Sequence, residues 1–249
     1  MAVYKRPDTL KKTPSGFCPG CMHSLATKLI AEVVDEMGQH KNCVHIVPVG
    51  CSTLNLVYWN GDVLGAAHGR APAVATGFKR SNPDRLVFAY QGDGDCAAIG
   101  LAEIMNAANR GENFTVIFFN NQTYGMTGGQ MAPTTLIGQK TTTTRYGRDP
   151  ETTGYPLKMC ELLATLEAPA FIARYALNTP KGCREAKKAI RKGFDIQMAG
   201  KGFSFIELLG NCPTNWGLTP LQTLDYMESN TIPYFVPGVY KDKFKDGVK

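Results

Sequence analysis

The sequence predicts an α/β architecture: a mostly parallel sheet with helices on both faces. Two continuous apolar runs, Leu86–Tyr90 and Thr115–Phe119, have the length and composition of fully buried strands. Between them, residues 97–110 put Leu101, Ile104, Met105 and Ala108 on one helical face, and Gly111 stops the helix. A strand, helix and strand of these lengths form a right-handed parallel crossover.

The remaining elements follow in chain order. Residues 1–16 are expected to be an extended arm, packed on a partner or disordered. Cys18-Pro19-Gly20-Cys21 precedes an amphipathic helix from about Ser24 to Met37, with Leu25, Leu29, Ile30, Val33 and Val34 on its apolar face and Gly38 ending it. Val44–Val49 reads as a short strand running into Gly50-Cys51-Ser52, and His68-Gly69-Arg70 precedes a small-residue helix over Ala71–Lys79. Residues 122–154 are rich in Thr, Gly and Gln. A polar segment this long is usually a lid or binding loop, and it is expected to cover the ligand and meet a partner subunit. A helix near Leu157–Leu166 and a strand at Ala170–Tyr175 come next. A helix from about Lys181 to Met198 follows, with Thr179 as N-cap and Pro180 in its first turn, and then a strand at Phe203–Leu209. Residues 219–249 are expected to form a tail lying over a neighbour. No linker divides the chain, so residues 1–249 are expected to fold as one domain.

Composition narrows the function classes. A chain of 249 residues with 43% hydrophobic and 19% charged residues can bury a proper core. No apolar run approaches the ~18 residues of a membrane span. The basic N-terminal stretch lacks the apolar region of a secretory signal, so a cytoplasmic protein is expected. A net charge of +6 without clusters of cations and aromatics argues against nucleic acid as a partner. Eight cysteines in such a chain point to thiols or metal ligands, not to disulfides.

Residues 92–97 spell G-x-G-x-x-A, and the crossover places Asp93 and Asn121 at the carboxyl ends of neighbouring strands, where open α/β sheets bind ligands. Gly92 and Gly94 let backbone N–H groups approach a phosphate, and the following helix N-terminus favours an anion. A nicotinamide dinucleotide would want an acidic residue at the end of the second strand, but Asn120 and Asn121 stand there. A carboxylate in the phosphate turn also repels pyrophosphate unless a cation lies between them. The oxygens of Asp93, Asn121 and a nearby backbone carbonyl suit Mg²⁺, with diphosphate completing its shell. This order, GDG, 25 residues, then NN, resembles the thiamine diphosphate enzymes, which implies Asp93, Asn121 and the Thr123 carbonyl as the metal ligands.

The Cys18/Cys21 pair admits three readings: a redox dithiol, a zinc knuckle, or part of an iron–sulfur cluster completed by distant cysteines. Cys51 and Cys212 both follow strands and could face one sheet edge. Cys43, Cys96, Cys160 and Cys183 fit small core residues.

Phe17–Cys21, Gly50-Cys51-Ser52, His68-Gly69-Arg70, the GDG-to-NN unit, Tyr124–Gln130 and Cys212-Pro213-Thr214 occur in the order that is similar to the β subunit of the 2-oxoacid:ferredoxin oxidoreductases. That resemblance, over about residues 17–220, implies a thiamine diphosphate-binding fold carrying thiamine diphosphate, Mg²⁺ and one 4Fe-4S cluster. It implies cluster ligation by Cys18, Cys21, Cys51 and Cys212. It also implies cofactor contacts from Val49, Gly50, Cys51, Ser52, His68, Gly92, Gly94, Asp95 and Gly125. His68 and Met126 are expected to face the substrate, with the soft Met126 suited to an apolar tail. The implied reaction is oxidative decarboxylation of a 2-oxoacid with coenzyme A, the electrons passing to ferredoxin. The implied partners are the catalytic α subunit and γ/δ-type subunits, one of which supplies the glutamate that activates the cofactor. The loop and the Cys212–Trp216 ending look closest to the branched-chain and 2-oxoglutarate members. Two rivals are a non-oxidative thiamine enzyme and a zinc-stabilised binding module.

Overall fold

The computed structural model describes residues 5–248. Helix α1 (His23–Glu36) leads to strand β1 (Cys43–Val47), a tight turn at Cys51–Leu54 continuing into α2 (Asn55–Tyr58), strand β2 (Asp62–Gly65), helix α3 (Ala71–Ser81) and strand β3 (Leu86–Gly92). A wide π turn at Asp95–Ile99 opens α4 (Leu101–Asn109), and β4 (Thr115–Asn120) follows. The polar stretch beyond holds β5 (Thr123–Tyr124), β6 (Gln130–Met131) and α5 (Pro150–Thr153). Then come α6 (Met159–Ala164), β7 (Phe171–Ala176), α7 (Pro180–Met198) and β8 (Ser204–Leu209), followed by α8 (Pro213–Trp216), α9 (Pro220–Tyr226), α10 (Ile232–Tyr234) and β9 (Gly238–Asp242). No helix among the described residues is long and apolar enough to cross a membrane.

Seven strands form one sheet in the order β2-β1-β3-β4-β8-β7-β9, and every neighbouring pair is parallel except β7 with β9. Strand side chains alternate between two cores, as the period of two requires. On one face Phe88, Tyr90, Ile117, Phe119 and Ile206 pack with Ile30 and Val33 of α1 and Ile190 and Phe194 of α7. On the other, Val87, Ala89, Val116, Phe118 and Phe205 pack with Ala75 of α3, Ile104 of α4 and Leu163 of α6. Each such side chain contributes about 1.5–3 kcal/mol by leaving water, which is why the continuous apolar runs were strands buried on both sides.

Several expectations are corrected. The arm packs on its own chain: Leu10 is buried and bridges to Trp59, while Asp8 and Thr9 bond Asp35. Residues 1–4 lie outside the described part. The C-terminal tail also packs on its own chain: Leu224, Met227, Ile232 and Phe235 join the core and β9 pairs with β7. Buried Arg174 anchors that strand, bonding Glu207 at 2.8 Å, Glu161 at 2.6 Å and the Tyr240 hydroxyl at 2.5 Å. Helix α4 begins earlier than expected, through its wide turn, because the backbones at Gly69 and Gly100 touch. A Cβ on Gly100 would lie 2.3 Å from the Asp95 carbonyl oxygen and 2.7 Å from that of Gly69.

His45 is fully buried, stacked on Phe88 at 4.4 Å between centroids, and neither ring nitrogen has a hydrogen-bond partner. Burial pushes its pKa down from the usual 6.5 to about 3. The folded protein therefore keeps the ring neutral, while the unfolded chain takes up a proton below pH 6.5. Its contribution is fully present above pH 6.5 and is lost as pH falls towards 3, at ~1.4 kcal/mol per pH unit. His45→Phe should flatten the acid side of the stability curve by that slope in urea unfolding between pH 7 and 5. An unchanged slope would show that His45 plays no part in the acid sensitivity.

Candidate functional site

The carboxyl ends of β1, β3, β4 and β8, four adjacent parallel strands, all point to one edge of the sheet. They lead respectively into Cys51, Asp93, Asn121 and Cys212, so residues far apart in the chain share one rim. The strand order changes direction between β1 and β3, the topological switch point where such sheets bind ligands. A cavity of about 340 Å³ opens there, walled by Val49, Gly50, Cys51, His68, Gly92, Asp93, Gly94, Asp95, Asn121, Thr123, Gly125 and Met126, together with His23, Ala98, Ile99, Tyr124 and Thr127. Of the predicted cofactor contacts, Ser52 alone is not on this wall; it is buried, with its hydroxyl unpartnered. A larger groove along α7 and the C-terminal residues Lys245, Gly247 and Val248 is lined by lysines and arginines, several already paired with carboxylates.

On the cavity floor Asp93 is 3% exposed, and burial raises its pKa to about 7, against hydrogen bonds that lower it. Its Oδ2 accepts from the Thr134 hydroxyl at 2.8 Å and the Thr123 N–H at 3.2 Å, which leaves Oδ1 turned to Asn121. One amide position of Asn121 lies 3.3 Å from Asp93 Oδ1 and 3.0 Å from the Thr123 carbonyl oxygen. With nitrogen in that position the amide donates to both. With oxygen there, three oxygens face one another with no proton between them, an arrangement that a cation resolves.

The backbone between these groups is constrained. Gln122 has a φ of 60°, rare for a residue with a side chain. Its N–H donates to Asn120 Oδ1 at 3.2 Å, its carbonyl accepts from Thr135 at 2.6 Å, and its amide reaches Thr231 at 3.1 Å. Such over-determined strain is found at ligand clamps. The polar loop is held by buried Arg148, whose guanidinium donates to the carbonyls of Pro133, Thr135, Thr153, Gly154 and Tyr155 at 2.6–3.1 Å. That cross-linking presents Thr134 to Asp93 and Thr135 to Gln122. Neither role was visible in the sequence, where Arg148 is one cation in a threonine-rich stretch.

Asp95, on the cavity wall, also holds its neighbours. It is 2% exposed, and its oxygens accept from the Gly69 N–H at 2.6 Å and from Gln91 at 2.5 Å, while Oδ1 lies 2.7 Å from His68 Nδ1. Asp95 therefore fixes the tautomer and orientation of His68, leaving Nε2 for the cavity. Arg70, which could have bound an anion, pairs with Glu103. Met126 is 49% exposed at the cavity mouth, near exposed Val49 and Ile99. Of the glutamates, Glu112 is buried and paired with Arg80 and Arg110.

The structure gathers the sulfurs of Cys21, Cys51 and Cys212: Cys21 and Cys212 both act on Cys51, and Cys212 acts on Cys21, in each case raising the thiol pKa. Burial, and then the neighbouring sulfurs, push Cys51 up to about 12. Asn211 explains the gathering: its Oδ1 accepts from the Met22 N–H at 3.0 Å and its amide donates to the Gly20 carbonyl at 3.1 Å, clamping the CxxC loop to the segment before Cys212. A Cβ on Gly125 would lie 3.1 Å from Cys51 Sγ and 3.7 Å from Cys212 Sγ, so the cavity-wall loop runs directly over these sulfurs. Cys18 is exposed and also acts on Cys21, Cys51 and Cys212. Among the described residues no three His, Cys, Asp or Glu side chains converge on a point that could hold a single metal ion. A cubane binds each cysteine to a different iron and does not require such convergence. Cys43, Cys96 and Cys160 are buried, and Cys183 is partly exposed.

Comparison with known proteins gives a consistent result. The family model described as the C-terminal TPP-binding domain of thiamine pyrophosphate enzymes matches residues 36–208. The ketoisovalerate oxidoreductase subunit VorA of Methanothermobacter thermautotrophicus is 51% identical over 213 residues, 86% of this chain but 45% of that protein. The chain thus spans under half the length of that relative. The 2-oxoglutarate synthase subunit KorB of Methanocaldococcus jannaschii is 34% identical, covering 92% of this chain and 82% of its own. The solved 2-oxoglutarate:ferredoxin oxidoreductase from Magnetococcus marinus, with 2-oxoglutarate, coenzyme A and succinyl-CoA bound, superposes with a TM-score of 0.75 at 27% identity, over 92% of this chain and 74% of that one. With the sheet, the cavity at its switch point and these likenesses together, the chain belongs to the thiamine pyrophosphate enzymes, among the subunits of the 2-oxoacid:ferredoxin oxidoreductases.

Proposed function

We propose that this chain is the thiamine diphosphate-binding subunit of a cytoplasmic 2-oxoacid:ferredoxin oxidoreductase acting on branched-chain 2-oxoacids, and that it carries Mg²⁺ and one 4Fe-4S cluster. The observation that carries the reading is the meeting of two donor sets at one cavity. Asp93 Oδ1, the Asn121 amide and the Thr123 carbonyl face one another on its floor, while the Cys51 and Cys212 sulfurs flank Gly125 in its wall.

The residues present fit both groups. An uncompensated buried carboxylate beside a carbonyl and an invertible amide is the donor chemistry of a hard cation, and Asp93, Asn121 and Thr123 would hold it. Cys18, Cys21, Cys51 and Cys212 would hold the cluster, whose iron would take the place of the thiol protons and make the buried thiolate form favourable. When bound, thiamine diphosphate supplies the electron sink for decarboxylation and the cluster a one-electron outlet.

The chain's own residues do the rest. Gly92 and Gly94 keep the wall free of side chains beside the diphosphate site, and His68, steered by Asp95, holds or moves a proton at Nε2. Val49, Ile99 and Met126 make an apolar mouth. The wall contains no lysine or arginine to pair with the distal carboxylate of 2-oxoglutarate, which supports a branched-chain substrate. It contains no glutamate either, which supports a partner subunit supplying the activating acid.

The complex, purified anaerobically with its partner subunits, should reduce ferredoxin with 2-oxoisovalerate and coenzyme A. Its kcat/KM should exceed that for 2-oxoglutarate by about 100-fold, the discrimination an apolar pocket imposes on an added polar group. The isolated chain should bind the cofactor and reduce nothing. Equal or reversed preference would remove the branched-chain assignment; no ferredoxin reduction with any 2-oxoacid would remove the activity.

A further inference from the structure

Asn215 is outside the cavity wall and outside the cluster-ligand, metal-ligand and cofactor-contact sets that the family resemblance implies. Its side-chain amide donates to two acceptors at once, the Cys212 sulfur at 3.2 Å and the Gly125 carbonyl at 3.1 Å. Its Oδ1 lies against Gly129, where an added Cβ would come within 2.9 Å. The amide therefore has a single orientation, with both N–H groups committed. Cys212 is 7% exposed, and a hydrogen bond to a sulfur in so dry a setting is stronger than the same bond in water. The next residue, Trp216, donates its indole N–H to the Asn121 carbonyl at 3.1 Å. One helical turn thus ties a sulfur, the loop over the cavity and the loop beneath it into one unit.

We infer that Asn215 is a positioning residue that sets the reduction potential of the cluster, through the N–H it donates to the Cys212 sulfur, and couples that sulfur to the Gly125 loop through its second N–H. The inference rests on the proposed cluster ligation by Cys18, Cys21, Cys51 and Cys212. A donated hydrogen bond stabilises sulfur more as its electron density grows, so it favours the reduced cluster and holds the potential up.

The test is a redox titration of the anaerobically purified complex, followed by the EPR signal of the reduced cluster. Asn215→Leu, similar in size and without donors, should lower the midpoint by about tenfold in the reduction equilibrium, ~59 mV for one electron. Asn215→Asp puts an acceptor and a negative charge beside the sulfur and should lower it further. An unchanged midpoint in either variant that retains its iron overturns the inference. So does loss of the cluster from both variants, which would make Asn215 a structural prop. A wild-type complex without cluster iron would instead fail at the cluster assignment, taking the inference with it, and the two failures are told apart because this one shows before any substitution.

Discussion

Replacing Asp93 by asparagine should leave the protein folded and abolish its Mg²⁺-dependent binding of thiamine diphosphate. Asp93 is the one ionisable group among the three floor donors, and at 3% exposed it sits at the foot of the cavity. Removing a mere outer partner of a metal ligand costs ~10–100-fold in affinity, so loss of the charged ligand should exceed ~100-fold. Titration calorimetry with cofactor and Mg²⁺ reads that loss directly. Stability should not fall with it, because burial already disfavours the Asp93 charge in the ion-free protein, as its pKa of about 7 records. An Asp93→Asn protein that binds the cofactor like wild type would move the cation elsewhere; one that unfolds would make Asp93 a structural group.

Cys51→Ala should separate the two halves of the site in the opposite sense. Its sulfur is the one thiol that lies both on the cavity wall and beside Cys21 and Cys212. Iron in the anaerobically purified complex should fall to background, and ferredoxin reduction should drop by more than ~100-fold, since a direct ligand is lost. Thiamine diphosphate binding should persist, because the floor donors and the glycine wall are untouched. Full iron content in the alanine variant would exclude Cys51 as a ligand. Loss of cofactor binding as well would mean that the cysteine turn, shaped by Thr53 bonding the Gly50 N–H at 3.1 Å and the Pro48 carbonyl at 2.8 Å, is part of the binding wall itself.

Much of this was legible in the sequence because local signals and the fold agreed. Continuous apolar runs between helical segments meant buried parallel strands, and parallel strands meant that Asp93 and Asn121 had to share an edge. The weakly patterned elements escaped. β2 is an exposed edge strand of four residues and β9 an antiparallel strand in a Lys- and Asp-rich stretch, so neither shows a buried strand's composition. The shape of the site was harder still. Asn211 and Arg148 act through backbone carbonyls and N–H groups of other loops, which leaves no periodicity or spacing to detect. Asp95 stands on the cavity wall as its position suggested, but its hydrogen bonds to His68, Gly69 and Gln91, two of them 26 and 27 residues away, left no signal of its hold on His68.

The position of β8 has a consequence for biogenesis. This strand is made late yet is laid between β4 and β7, in the middle of the sheet. Cys212 therefore cannot meet Cys21 and Cys51 until β8, which precedes it directly, has been inserted between β4 and β7. Non-local pairing of that kind is slow and leaves open strand edges in the meantime. On the proposed cluster ligation, a chain that ends before residue 204 carries three of the four sulfurs, Cys18, Cys21 and Cys51, and the fourth joins them only once β8 is in place.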